Sequence, residues 1–279
     1  FVAAAAAPVL LNIVLVGVLF AAQGLGYDRQ PAAGYVLAWG VSAAGILQLA
    51  LLLVMARRQG YPMTLRRPRL TEDVRRLVHL GVPGVISGGV TQINIVIGTM
   101  IASMQPAAVS FLYYADRLYQ LPLGIVGVAV GVVLLPDLAR RLRAGDENGA
   151  ADALNRSVEF ALLLTLPAAI ALAVVPEPII RVLFERGAFV AADTRATAQA
   201  LMAFALGLPS FVLVKAFSPG FFAREDTRTP MRFAIVAVVI NVLVSIGLFP
   251  LIGHVGVALA TTISGWINAL MLGWTLHRR

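Results

Sequence analysis

Long apolar runs alternate with short polar connections from one end of the chain to the other. A membrane-crossing helix needs about 20 predominantly apolar residues. Eight runs reach that length: Phe1–Ala22, Ala32–Ala56, Gly81–Met104, Val109–Leu138, Leu154–Val175, Thr197–Phe222, Met231–Leu251 and Gly256–Leu276. The pattern predicts an all-α, polytopic membrane protein with eight transmembrane helices. Two shorter stretches are amphipathic instead. Pro176-Glu177-Pro178 opens Ile179–Phe184, expected to lie along the membrane interface, and Thr71 is expected to cap a surface helix over Thr71–Val78.

Charge is concentrated in alternate connections, which sets an orientation. The second connection carries Arg57, Arg58, Arg66, Arg67, Arg69, Arg75 and Arg76. The fourth carries Arg140, Arg141, Arg143 and Arg156, the sixth Arg224, Arg228 and Arg232, and the tail ends in Arg278-Arg279. Of basic residues the first holds only Arg29 and the seventh only His254, the third has no charge, and the fifth balances Arg181, Arg186 and Arg195 against Glu177, Glu185 and Asp193. The positive-inside rule therefore puts both chain ends and the even connections in the cytoplasm. Composition agrees: of 279 residues, 59% are hydrophobic and 13% charged, against about 45–50% and about 25% in soluble domains. The net charge of +8 resides in these topology-setting loops, so it does not argue for nucleic acid as a partner. Cysteine is absent, which removes disulfides and thiolate chemistry. The chain has no phosphate-binding glycine loop, no His-Glu-x-x-His and no metal-ligand cluster. His79, His254 and His277 carry no ligand pattern. The expectation is a non-enzyme with no cofactor and no metal site.

The first two runs resemble the last two. Asn12 to Phe20 aligns with Asn241 to Phe249, and Gly34 to Ser42 with Gly256 to Ser264, and both pairs end in adjacent arginines. A repeat at this spacing has a unit of six helices. Six is even, so both copies share one orientation, as in parallel-repeat transporters. Residues 1–58 are then the last two helices of an N-terminal lobe, 59–80 a cytoplasmic linker with its amphipathic helix, and 81–279 a six-helix C-terminal lobe. Four helices are expected to precede Phe1.

Polar groups inside the apolar runs mark where function is expected. A charge at membrane depth costs about 2.5–3.5 kcal/mol on insertion scales, so Asp116 and Arg117 in the fourth run need a purpose. Adjacent residues on a helix do not face each other, so each is expected to find a partner on another helix, in water or on a ligand. Arg117 shares a stripe with Ser110, Tyr114, Leu121 and Gly124, and Asp116 shares the next stripe with Tyr113 and Gln120. Arginine presents planar paired donors that match phosphate oxygens, which makes Arg117 the candidate for an anionic group. The third run adds Gly84, Ser87, Thr91, Asn94 and Gly98 on one stripe with Gln92 beside it, and the amides of Asn94 and Gln92 suit an aqueous cavity. Lys215 either reaches that cavity or snorkels to the interface. Asn241, Ser245, Thr261, Gly265 and Asn268 are expected at interhelical contacts, and Glu159 near a helix end. The candidate binding set is Arg117, Asp116, Ser110, Asn94, Gln92 and Lys215.

Four stretches stand out in order: Val82-Pro83-Gly84 with Gln92-Ile93-Asn94; Tyr113-Tyr114-Ala115-Asp116-Arg117-Leu118-Tyr119-Gln120-Leu121-Pro122-Leu123-Gly124; Leu183-Phe184-Glu185-Arg186-Gly187-Ala188-Phe189; and Ser218-Pro219-Gly220-Phe221-Phe222-Ala223-Arg224-Glu225-Asp226-Thr227-Arg228-Thr229-Pro230. Together they resemble the signatures of the MurJ/MviN lipid II flippases of the multidrug/oligosaccharidyl-lipid/polysaccharide exporter superfamily. The resemblance implies two six-helix lobes around a central cationic cavity, with two further helices forming a groove for the lipid tail. It implies movement of undecaprenyl-diphosphate-linked muropeptide, lipid II, from the inner to the outer leaflet of the bacterial cytoplasmic (inner) membrane by alternating access. The family's second-lobe arginine falls on Arg117 and its acidic neighbour on Asp116. The first-lobe arginines and the tail-groove helices have no counterpart here, so the chain alone is not expected to flip lipid. The partners implied are lipid II, membrane lipids and the missing helices of the full-length chain. Some family members bind sodium through two aspartates and an Asn. Asn241 fits that pattern, but Gly98 and Ser245 stand at the aspartate positions. One alternative is another flippase or a cation-coupled antiporter of the same superfamily. An antiporter would be expected to use acidic cavity groups, whereas Arg117 and Lys215 outnumber Asp116. The other alternative is a non-transporting scaffold or sensor, which needs no polar cavity.

Overall fold

The computed structural model describes residues 2–27, 32–60, 72, 89 and 92–278, with side chains for all of these except 2–5 and 128–133. Every element among them is a helix: α1 Val2–Gly24, α2 Ala32–Arg58, α3 Gln92–Ala102, α4 Ala108–Arg143, α5 Glu147–Val174, α6 Pro176–Phe184, α7 Ala191–Phe222, α8 Arg228–Ile252 and α9 His254–His277. Among the described residues, six helices are long and apolar enough to cross a membrane, namely α1, α2, α5, α7, α8 and α9. The chain is an all-α, multi-span membrane protein. α4 has 36 residues and covers about 54 Å at about 1.5 Å per residue. The expected surface helix Thr71–Val78, apart from Glu72, and most of the third apolar run before Gln92 lie outside the described residues.

Helix limits differ from apolar limits at the Arg-rich end. α4 continues through its charged last turn to Arg143, and α5 starts at Glu147, well before the apolar run at Leu154. Local polar chemistry accounts for both. The Asp146 carboxylate accepts from the Gly149 N–H at 2.8 Å and so caps α5. Arg141 bridges Asp137 at 2.9 Å and Asp146 at 3.6 Å. Arg224, just beyond α7, reaches Glu147 at 2.7 Å. Glu159, expected near a helix end, sits instead well inside α5 and is exposed.

The chain divides into two compact units, Phe1–Thr71 and Glu72–Arg279. In the first, α1 packs on α2 with Ala22, Gly40 and Ala44 buried, and the Gln48 amide donates to the Ala7 carbonyl at 2.7 Å. In the second, α7 is central and touches α4, α5, α6 and α9, while α8 packs on α9. The core lies where α4, α6, α7 and α9 meet, around Tyr119, Ile180, Leu201, Phe204, Leu208 and Ala258.

Many buried positions of α7 are small: Ala198, Ala200, Ala203, Ala205, Gly207 and Ser210. Helices in lipid gain little from hydrophobicity on pairing and associate through close packing and hydrogen bonds. A Cβ on Gly207 would lie 2.5 Å from Thr262 Oγ1, and one on Gly265 would lie 2.5 Å from Phe211 Cε1. The two glycines therefore permit the α7–α9 approach. Across the seam, Thr262 Oγ1 donates to the Ala203 carbonyl at 2.7 Å and Trp266 Nε1 to the Leu206 carbonyl at 3.0 Å.

The amphipathic stretch forms α6, with Ile180 buried and Val182 exposed. Arg181 pairs with Glu177 at 2.7 Å and Glu185 at 3.4 Å, and Thr194 of α7 donates to Glu185 at 2.7 Å.

Candidate substrate-binding site

α4 carries the two intrahelical charges, and their surroundings differ. Arg117 is exposed, and its guanidinium carbon lies 4.7 Å from the centroid of the Tyr113 ring, one turn earlier. It forms no ion pair with a described residue. Asp116 is half-buried; its carboxylate accepts from the Gln120 amide and lies beside the Tyr119 hydroxyl. The partner expected on another helix, in water or on a ligand is thus found on α4 itself, because positions i+3 and i+4 are the neighbours within side-chain reach. Tyr119 is buried and stacks on Phe204 of α7 at 5.0 Å and 26°, with Phe211 at 5.6 Å. Asp116 is therefore linked to α7 through a ring.

Ser110, Leu121 and Gly124 are exposed on the stripe of Arg117. Tyr114 turns away from that stripe, packing 4.8 Å from Phe184 at the end of α6 and 5.4 Å from Phe189 just beyond it. Lys215 of α7 is exposed, and its stem crosses α4 at Gly127, where a Cβ would meet Lys215 Cδ at 2.5 Å and Nζ at 3.4 Å. Gly127 is ten residues past Arg117, about 15 Å along the helix axis. Gln92 is exposed on α3. Asn94 is half-buried, and its Oδ1 is sheltered without a hydrogen-bond partner among the described residues. The Cβ position of Gly98 on α3 lies 3.9 Å from Val257 Cγ1 of α9. The structure thus gathers Arg117, Asp116 and Ser110 on α4 with Lys215 against the same helix. Among the described residues no hydrogen bond joins Gln92 or Asn94 to Arg117 or Lys215.

The residues at the family's sodium positions do not fit a cation. Asn241 Nδ2 donates to Thr261 Oγ1 at 3.1 Å and Ser264 Oγ at 3.3 Å. Gly98 and Ser245 bring no carboxylate, and the Asn241 amide already donates to its two hydroxyl neighbours, so the acidic ligands of that pattern are missing. The expected interhelical bond of Asn241 with Thr261 is formed. Ser245 Oγ and Asn268 Oδ1, given the same expectation, are buried without a hydrogen bond among the described residues.

His254, expected to carry no ligand pattern, has a packing role. It is 5% exposed and heads α9. Its backbone N–H donates to Gln105 Oε1 at 2.9 Å, its Nε2 donates to the Ala196 carbonyl at 2.9 Å, and its ring lies 5.3 Å from Phe111. One residue, through its backbone and its ring, thereby joins the α3–α4 connection, α4, α7 and α9. The available signal was a histidine in a very short connection between two apolar runs.

Residues 1–279 match the family model for lipid II flippase MurJ. The chain is 56% identical over 276 residues to the "Probable lipid II flippase MurJ" of Rhizobium meliloti (strain 1021), covering 99% of this chain and 51% of that protein. It is 53% identical over 279 residues to the protein of the same description from Rhizobium tropici, covering 100% and 52%. A solved lipid II flippase MurJ in an inward closed conformation aligns with a TM-score of 0.80 at 27% identity, covering 97% of this chain and 55% of that one. The chain spans about half the length of the curated relatives it matches. Matched from its first residue to its last, it belongs to the MurJ lipid II flippase family.

Proposed function

We propose that the protein to which this chain contributes carries lipid II from the inner to the outer leaflet of the bacterial cytoplasmic membrane by alternating access. The observation that carries this reading is Arg117, an exposed guanidinium without an ion pair to a described residue, set in a helix of a chain from a lipid II flippase family. A diphosphate in a low-dielectric cavity is best held by a planar, permanently charged donor that bonds two oxygens at once. Lys215 adds a second cation against the same helix. Ser110, Gln92 and Asn94 offer neutral polar contacts to the sugar–peptide head group. Asp116, held by Gln120, adds a carboxylate beside the arginine. Translocation of this kind makes and breaks no covalent bond, so the role is transport and not catalysis.

In this reading residues 1–58 are the last two helices of the first lobe, 59–80 a cytoplasmic linker and 81–279 the second lobe. The remaining helices of the full-length chain complete the cavity and hold the lipid tail. The Arg-rich ends face the cytoplasm, where their charge keeps them. The test is complementation in cells depleted of their own flippase, using the full-length protein with Arg117→Ala. The expected result is failure to grow, with lipid II accumulating in the inner leaflet while the variant is made and folded at normal levels. Normal growth of Arg117→Ala cells would overturn the reading.

A further inference from the structure

We propose that Tyr113 is a positioning residue for Arg117, braced by Phe184 and Phe189 through Tyr114. The proposal rests on the phosphate-binding role of Arg117. A guanidinium that must wait for an anion in a cavity faces two problems. Its charge is poorly solvated, and its long side chain samples many rotamers. A carboxylate partner would solve both but would occupy the N–H donors that phosphate needs. An aromatic face solves both and leaves the donors free, because cation–π attraction acts on the face of the ring while the N–H groups lie in the guanidinium plane.

The arrangement at Arg117 matches that requirement. The ring of Tyr113 lies 4.7 Å from the guanidinium carbon, inside the roughly 6 Å range of the interaction. The nearest carboxylate in sequence, Asp116, is engaged with Gln120 and Tyr119. Tyr113 is itself 54% exposed and needs support. It receives an edge contact from Tyr114 at 6.1 Å and 76°. Tyr114 in turn packs on Phe184 and Phe189, whose rings lie 6.2 Å apart. A ladder of rings thus runs from the segment beyond α6 to the arginine. The ligand it prepares for is a phosphate or diphosphate ester approaching the open edge of the guanidinium.

The experiment measures binding of lipid II to the purified full-length protein in detergent. Tyr113→Leu is expected to weaken binding roughly fivefold, while Tyr113→Phe, which keeps the ring face, stays within about twofold of the parent. Added to Arg117→Ala, Tyr113→Leu is expected to cause no further loss, since the two residues act as one unit. Thermal midpoints of the single variants are expected to match the parent, because Tyr113 is largely exposed. Unchanged binding in Tyr113→Leu overturns the proposal, as does an equal loss in Tyr113→Phe or a further loss in the double variant. A loss in Arg117→Ala alone overturns only the role of Tyr113. A loss in neither overturns the phosphate role as well.

Discussion

At the scale of single residues, the two adjacent charges of α4 are in opposite states. A charged side chain at membrane depth costs about 2.5–3.5 kcal/mol. A ring face returns about 0.5–2 kcal/mol of that to Arg117, and the shortfall is what an incoming anion can relieve. Arg117→Lys keeps the charge and loses the planar fork. Losing one hydrogen bond to a charged group costs about 1.5–3 kcal/mol, so lipid II affinity of the full-length protein is expected to fall by at least about tenfold. Retained affinity in a binding titration would show that charge alone suffices. Asp116, by contrast, already accepts from Gln120 and has the Tyr119 hydroxyl beside it. Tyr119→Phe keeps the stack on Phe204 and removes the hydroxyl beside a half-buried carboxylate. It is expected to lower stability by about 1 kcal/mol, read from thermal unfolding. Combined with Asp116→Asn, the loss is expected to be smaller than the sum of the two single losses. The angular separation of Asp116 from Arg117 was legible in sequence because it needs only the helical step. The link of Asp116 to α7 was not, because Phe204 lies far away in sequence and meets Tyr119 only through the fold.

At the scale of elements, the α7–α9 seam holds the second unit together, and its two kinds of contact differ in strength. Membrane interhelical hydrogen bonds average about 0.6 kcal/mol, so Thr262→Val, which removes the bond to Ala203, is expected to be mild. Gly265→Leu forces a branched side chain against Phe211 and Ser210, already in contact with the glycine's Cβ position, and overpacking costs about 1–3 kcal/mol. Thermal unfolding in detergent should therefore rank Gly265→Leu well below Thr262→Val. Equal losses would mean that hydrogen bonding, not close approach, sets the seam. The small residues of α7 were visible in sequence, but which helix they would meet was not. α6 was anticipated closely, since Pro176 starts it and its amphipathic pattern is local. The C-terminal end of α4 and the start of α5 were missed because apolar length was the criterion. Charged residues extend a helix readily once a cap such as Asp146 closes it.

At the scale of the whole molecule, the alternation of apolar runs made the all-α membrane class legible. Among the described residues six helices qualify by length and composition, and α4 joins a charged segment to an apolar one. Orientation rests on arginine placement alone, since a helical bundle packs equally well either way up. The sequence offers a direct way to test it, because residues 1–279 contain no cysteine. Single Ala144→Cys and Ala188→Cys substitutions, both at exposed positions outside the helices, report on opposite ends of the bundle. They are made in the full-length protein with any cysteine outside residues 1–279 replaced. Ala144 follows the basic last turn of α4, which the positive-inside rule assigns to the cytoplasm. Ala188 lies in the connection where Arg181 is paired with Glu177 and Glu185 and the local charge is balanced. A membrane-impermeant maleimide applied to intact, outer-membrane-permeabilised cells is expected to label Ala188→Cys and spare Ala144→Cys. Inverted inner-membrane vesicles should give the reverse. The opposite pattern would turn the chain over, placing the arginine cluster of α4 on the outer face. It would also require lipid II to enter the cavity from the other end of α4, with Lys215 and Arg117 met in the opposite order.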